Sequence, residues 1–448
     1  MILSAADYLI LAAYLAAVVW TGLRAAGRRE AGSEDYILVG RTLTLPSFVA
    51  TLVPSFYGGT LGVGEYTYRY GISNWLAQGA PYYLFSLLYA ALVAGRIRES
   101  QGLTIPDHLE RAYGRKTAAL AAFLVFLLAS PADEALMLGT LAQWVTGWPL
   151  WLCLLMALVA AAGFLFAGGL RADVWANRLE FLVMFGGFSL ILPFAVLRAG
   201  GTGFLAANLP PSHLDWTGGK PPLFLMTWFF LALWTFVDPA FHQRVCAAKD
   251  AATARRGICV SVLFWAAFDF LTTTTGLYAR AMLPDLQEPL QAYPALASHL
   301  LPSGIRGLFL AGVASSPLAA LGSTSFLSAV SLGRDAAGRI WTMRAEDEEA
   351  WVRRGLLATC ALSFVLALAL PSVVALWYAV GSVVIPGLLI PLTVSYFPAL
   401  RPGPRGALAC SLAGCLASSA AWALGDSTPF YPGLAASAVV YLLALMRR

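Results

Sequence analysis

Four carboxylates, Asp133, Glu134, Asp238 and Asp269, stand inside stretches of this 448-residue chain that are otherwise apolar. A charged side chain at the centre of a hydrocarbon layer costs about 2.5–3.5 kcal/mol to insert, so acids placed there carry a proton, neutralise a cation or line a watery path. Asp133 and Glu134 are adjacent and follow Pro131. Neighbours on a helix point about 100° apart, so one of the two is expected to line a path. The other would pair with His242, Arg280 or a backbone group. Residues for other chemistry are missing: His108 and His213 fall in predicted loops and His299 near a span end, and the six cysteines show no CxxC or Cys/His spacing. No phosphate-binding glycine loop is present, which argues against a nucleotide-driven pump, and no nucleophile–base pair points to an enzyme.

The elements that hold these acids are set by composition. Hydrophobic residues make up 59% and charged residues 12% of the chain, with a mean hydropathy of +0.71. About 20 apolar residues cross roughly 30 Å of hydrocarbon as a helix. Spans are expected near 5–23, 44–65, 73–95, 117–145, 149–167, 177–199, 222–243, 257–281, 304–333, 354–371, 372–398, 407–424 and 429–446. The fold class is therefore an all-α polytopic membrane protein of about thirteen helices, whose one large partner is the lipid bilayer. No basic stretch precedes the first span, while Arg24, Arg28 and Arg29 follow it, so it is read as a retained helix.

The net charge of +5 is spread over short loops, which leaves no patch for nucleic acid. With the N-terminus outside and the C-terminus inside, all of the 29 basic residues except Arg69, Arg198, Lys220, Arg280 and Arg306 fall on the inner side, as the positive-inside rule asks. The second span is interrupted by Pro54 and Gly58–Gly59, and the seventh by Asp238–Pro239. Unwound backbone at membrane depth must find water, an ion, a ligand or another helix. Breaks at corresponding places in two halves are a feature of transporters built from inverted repeats.

Five local strings carry a resemblance. EDYILVGRTLTLPSF (34–48) with YRYGIS (68–73), TIPDHLERAYGRKT (104–117), GGLRADVWANRLEF (168–181), HQRVCAAKDAATARRG (242–257) and AGVASSPLAALGSTSFLSAVSLGRD (311–335) occur in the order and topology of the solute:sodium symporter family, relatives of the sodium/galactose and sodium/proline symporters. The resemblance implies a LeuT-like 5+5 inverted repeat. Residues 1–43 would be a peripheral span and loop, 44–199 and 200–398 the two five-helix repeats, and 399–448 two peripheral spans. It also implies a coupling Na⁺ held by carbonyls of Leu52, Ser55 and Gly312 and by hydroxyls of Ser315 and Ser316, a donor set suited to a hard cation.

Asn177 stands where the family usually has an acid and Glu180 where it often has glutamine, which points to one Na⁺ rather than two. Tyr57, Gly58 and Gly59 at the break differ from the polar residues of sugar-transporting members, and Pro54 replaces the aspartate of proline-transporting ones. Trp234 aligns with an aromatic that gates the substrate from inside. The expected substrate contacts are thus Tyr57, Gly58, Gly59, Asp133, Glu134, Trp234 and Asp238. A monomeric sodium-coupled importer of a small organic molecule in the cell (inner) membrane is the leading expectation. Alternatives are H⁺ coupling through the buried acids and a membrane sensor that no longer transports. The acids also allow a substrate carrying an amine that Asp133, Glu134 or Asp238 neutralises.

Overall fold

In hydrocarbon each backbone N–H and C=O must be satisfied within its own segment, so apolar runs of this length fold as helices. The computed structural model describes residues 3–26, 38–100, 102–340 and 347–447, and these are mostly helix joined by short turns. Arg28, Arg29, Arg344, Arg448 and the first residues of the 34–48 stretch lie outside these. Among the described residues nine helices are long and apolar enough to cross a membrane, and up to ten if the pair Pro222–Val237 and Pro239–Ala247 is one bent span. Three shorter apolar helices, Leu45–Phe56, Leu150–Ala162 and Phe430–Met446, fall on three further expected spans.

Both anticipated breaks are present. The second span divides into α2 (Leu45–Phe56) and α3 (Thr60–Tyr70), after α1 (Ala5–Ala26). Pro54 sits inside the last turn of α2, where it removes a backbone donor. The glycines that follow serve close approach: a Cβ on Gly58 would lie 2.4 Å from the Cβ of Ala320, and one on Gly59 2.2 Å from the Trp377 ring. The seventh span divides into three pieces, Pro222–Leu231, Trp234–Val237 and Pro239–Ala247, with a bend of 40° at Asp238. Asp238 caps the last piece by accepting the Phe241 N–H at Oδ1, 2.6 Å away, and Pro239 follows at the first helical turn, where its missing N–H costs nothing.

A third break was not foreseen. The fourth span consists of Arg115–Leu128 and α4 (Ala132–Thr146), separated at Ala129–Pro131. Pro131 starts the new helix and puts Asp133 and Glu134 in its first turn, where the helix dipole favours negative charge. The fifth and sixth spans lie in one helical segment, α5 (Leu150–Ala199), and the ninth begins as α6 (Ile305–Val330).

Packing explains several residues on these helices. Helices α5 and α6 touch at glycines: a Cβ on Gly312 would lie 2.9 Å from Gly187 Cα and 3.0 Å from the Val183 carbonyl oxygen. Backbone cannot step aside as a side chain can. Gly312→Ala is expected to force the pair apart at a cost of about 1–3 kcal/mol, read as a lower melting temperature in detergent; an unchanged one would show that the helices separate freely.

The first span is pinned by Asp7, which is buried and accepts from Arg306 Nη2 at 2.5 Å and from the Gly304 and Gly307 N–H groups at 2.9 Å. On the face that the charge pattern assigns to the inside, Asp107 meets Arg334 at 3.2 Å and Arg339 at 2.8 Å, and Asp335 meets the same two arginines. Burial by itself would raise the Asp107 carboxyl, but the two guanidinium groups outweigh it and hold the group below its ordinary range.

Candidate functional site

The three helix breaks converge on one cavity of about 150 Å³. Tyr57, Gly58, Gly59, Asp133, Glu134, Trp234 and Asp238, the seven residues singled out in the sequence as substrate contacts, all line it. Pro54 lies just before the lining residues of its span, Pro131 falls between the lining residues Ser130 and Asp133, and Pro239 is itself in the lining.

Asp133 and Glu134 both reach the cavity, which corrects the expectation that only one could. The 100° argument applies to a cavity beside a helix flank. Here the cavity lies off the N-terminal end of α4, and two adjacent side chains of a first turn can both point past a helix end. Of the expected partners, His242 and Arg280 are engaged elsewhere. His242 Nε2 is hydrogen-bonded to the Tyr396 hydroxyl at 2.7 Å, and Arg280 donates to the Pro284 carbonyl at 2.6 Å.

The partners of the acids are mostly aromatic. Trp377 Nε1 donates to Asp133 Oδ2 at 2.7 Å, and Trp234 Nε1 donates to Asp238 Oδ2 at 3.1 Å. Asp269 accepts from the hydroxyls of Tyr57 and Tyr83, and Tyr57 also meets Thr272 Oγ1 at 2.9 Å. Glu134 differs: its Oε2 has no partner, and the residue is 5% exposed. Its Oε1 lies 3.7 Å from where a Gly58 Cβ would be, so it faces the break of the second span.

Asp269, an acid within an apolar run of the sequence, also lines the cavity although it is not among the seven expected contacts. Gln78, Tyr83 and Trp377, also in the lining, gave no sequence signal of a site. Their spans are ordinary apolar runs, and with 14 tryptophans and 17 tyrosines in the chain no single ring stands out.

Of the five expected Na⁺ donors, Leu52 and Ser55 lie in the last turns of α2, and Gly312, Ser315 and Ser316 lie mid-way along α6, all buried. Ser316 donates its hydroxyl to the Tyr57 carbonyl, joining α6 to the break. Ser315 donates to the Gly312 carbonyl at 2.7 Å, and Ser55 to the Thr51 carbonyl at 2.6 Å. At the crossing the three hydroxyls donate to backbone carbonyls and Ser316 alone of them reaches the break; Leu52 and Ser55 lie within α2 and Gly312 within α6, so the expected carbonyl donors stand in helix and not in unwound backbone.

Below the crossing Asn177 Nδ2 donates to Thr51 Oγ1 at 2.8 Å and to Asp173 Oδ2 at 3.2 Å. Asp173 pairs with Arg244 at 2.5 Å and accepts from Ser323 Oγ at 3.0 Å. The family's usual acid is absent at 177, and a buried acid stands one helical turn earlier with a guanidinium already against it.

Comparison with known proteins agrees with this architecture. Residues 36–414 match the sodium:solute symporter family. The chain belongs to that family. Among curated relatives, sodium/glucose cotransporter 4 of Danio rerio is 26% identical over 81% of this chain and 63% of its own length. The sodium/glucose cotransporter of Vibrio parahaemolyticus is 26% identical over 72% of this chain and 66% of its own. The chain thus spans just under two thirds of either relative. Among solved structures, a Na⁺-coupled sialic acid symporter superposes with a TM-score of 0.78 at 16% identity, covering 99% of this chain and 97% of that one. Mhp1, a nucleobase-cation-symport-1 family transporter, gives 0.59 at 14% identity over 92% and 93%. At these identities the likeness is one of fold.

Proposed function

We propose that this chain is a sodium-coupled importer of a small organic solute that works by alternating access. The observation that carries the reading is the meeting of three helix breaks on one compact cavity, with Ser316 of α6 bonded to the Tyr57 carbonyl at its edge. In this reading Na⁺ binds at Leu52, Ser55, Gly312, Ser315 and Ser316. The solute binds beside it against Tyr57, Gly58, Gly59, Asp133, Glu134, Trp234 and Asp238. One Na⁺ moving inward through 100 mV supplies about 2.3 kcal/mol, which concentrates a neutral solute nearly fiftyfold before the sodium gradient itself is counted.

The same proposal includes thirteen spans with the N-terminus outside, repeats at 44–199 and 200–398 flanked by peripheral helices, and a monomer in the cell (inner) membrane. It does not include catalysis or nucleic-acid binding. A second reading, H⁺ coupling, is favoured by one observation, the unpartnered carboxyl oxygen of Glu134.

Melting temperature of the detergent-purified protein against NaCl, with KCl holding ionic strength, separates the two. A ligand at 100 times its Kd stabilises by about 2.7 kcal/mol, so a sodium site of millimolar affinity is visible at 100 mM without knowing the solute. A rise with Na⁺ and none with K⁺ is expected. Stability that follows pH and ignores sodium would replace Na⁺ by H⁺.

A further inference from the structure

Which class of solute the cavity takes can be read from what its lining leaves unsatisfied. Among the described residues the wall contains four carboxyl groups and no lysine, arginine or histidine. Three of the four are already held: Asp133 by Trp377, Asp238 by Trp234 and the Phe241 N–H, and Asp269 by Tyr57 and Tyr83. Glu134 keeps its Oε2 without a donor while being 5% exposed, with Asp133 and Thr324 beside the same carboxyl group. Leaving a carboxyl oxygen buried and unpaired costs more than an ordinary hydrogen bond contributes, so the site is incomplete until a donor arrives. On the same wall the Gln78 side-chain amide has an Nε2 without an acceptor. Much of the remaining wall is ring surface, including Phe56, Trp234, Trp265 and Trp377, beside the hydroxyls of Ser55, Ser130 and Thr324, and aromatic faces attract cations.

We infer that the solute is a compact protonated amine carrying one hydroxyl or carbonyl acceptor. Its ammonium group donates to Glu134 Oε2, its acceptor meets the Gln78 amide, and its carbon body lies against the rings. The aspartates hold the indole and phenol groups in place; Glu134 is the counter-ion. No covalent step is involved. The inference rests on the reading of this cavity as the solute site.

The test uses three probes of matched size, 4-amino-1-butanol, 1,4-butanediol and 4-hydroxybutyrate, which at pH 7 present a cation, a neutral hydroxyl and an anion at one end of a four-carbon chain. Each is titrated against the full-length protein in NaCl and in KCl, with melting temperature as the readout, for wild type and Glu134→Gln. The aminoalcohol is expected to stabilise wild type at concentrations at least tenfold below those the diol needs, more strongly in NaCl. Glu134→Gln should lose that advantage and still respond to NaCl itself, which shows that the variant is folded. Equal potency of diol and amine, preference for the carboxylate, no response to any of the three, or an undiminished amine preference in Glu134→Gln would each overturn the inference. A wild-type protein with a sodium response but the wrong solute preference sinks the amine alone. A protein answering to neither sodium nor any probe sinks the transporter reading with it.

Discussion

Replacing Arg244 by methionine should destabilise the protein by about 3–5 kcal/mol, because it leaves Asp173 charged and buried with no cation beside it. The pair is 2.5 Å apart with side chains 0% and 4% exposed, so solvent screening does little to soften the loss. Removing both charges is a different experiment. Asp173→Asn with Arg244→Met takes out the unpaired ion, and much of the stability should return, since buried ion pairs are worth little net against neutral groups of similar size. A double-mutant cycle by thermal or denaturant unfolding in detergent measures the coupling. A single variant no more damaging than the double would mean that water reaches Asp173 and that the network is not a closed one. The network also ties Asn177 to Thr51 on the broken second span, so the single variant should disturb the ion crossing one turn above it.

Ser316→Ala should raise the Na⁺ concentration needed for half-maximal stabilisation at least tenfold, a change of about 1.4 kcal/mol in binding. In KCl the same variant should lose only about 1 kcal/mol, the usual net worth of one hydrogen bond, here the one to the Tyr57 carbonyl. The difference between the two media is what identifies an ion ligand. Ser315→Ala is the internal comparison, because without sodium its hydroxyl does no more than return to the Gly312 carbonyl of its own helix. A sodium titration of Ser316→Ala that superposes on wild type would remove this serine from the site and, with it, the crossing of α2 and α6 as the place where the ion binds.

Much of the architecture was legible before folding. Hydropathy placed the spans, and proline with glycine placed two breaks, since in hydrocarbon a helix is the default and only a lost donor or a missing Cβ interrupts it. The break at Ala129–Pro131 escaped because a single proline in a long apolar run is as often a kink as a stop, and Pro317 within unbroken α6 shows the same residue with the other outcome. The seven lining residues were accessible because each lies at or beside a break, or is an acid in hydrocarbon or a ring aligned by family resemblance.

Partners were not legible. Trp377 reaches Asp133 from 244 positions away and Tyr57 reaches Asp269 across 212, and nothing in either neighbourhood marks the match. The sequence by itself determined the solvent, the helices, two of their interruptions and the acids that had to be reconciled with a membrane, all of which follow from the local composition of each segment. Only the tertiary structure decided which donors satisfy which acids, that Asp133 and Glu134 share one cavity at a helix end, and that Glu134 keeps a buried oxygen without a donor. Those outcomes depend on the angles at which distant helices cross, and no local run of residues encodes a crossing angle.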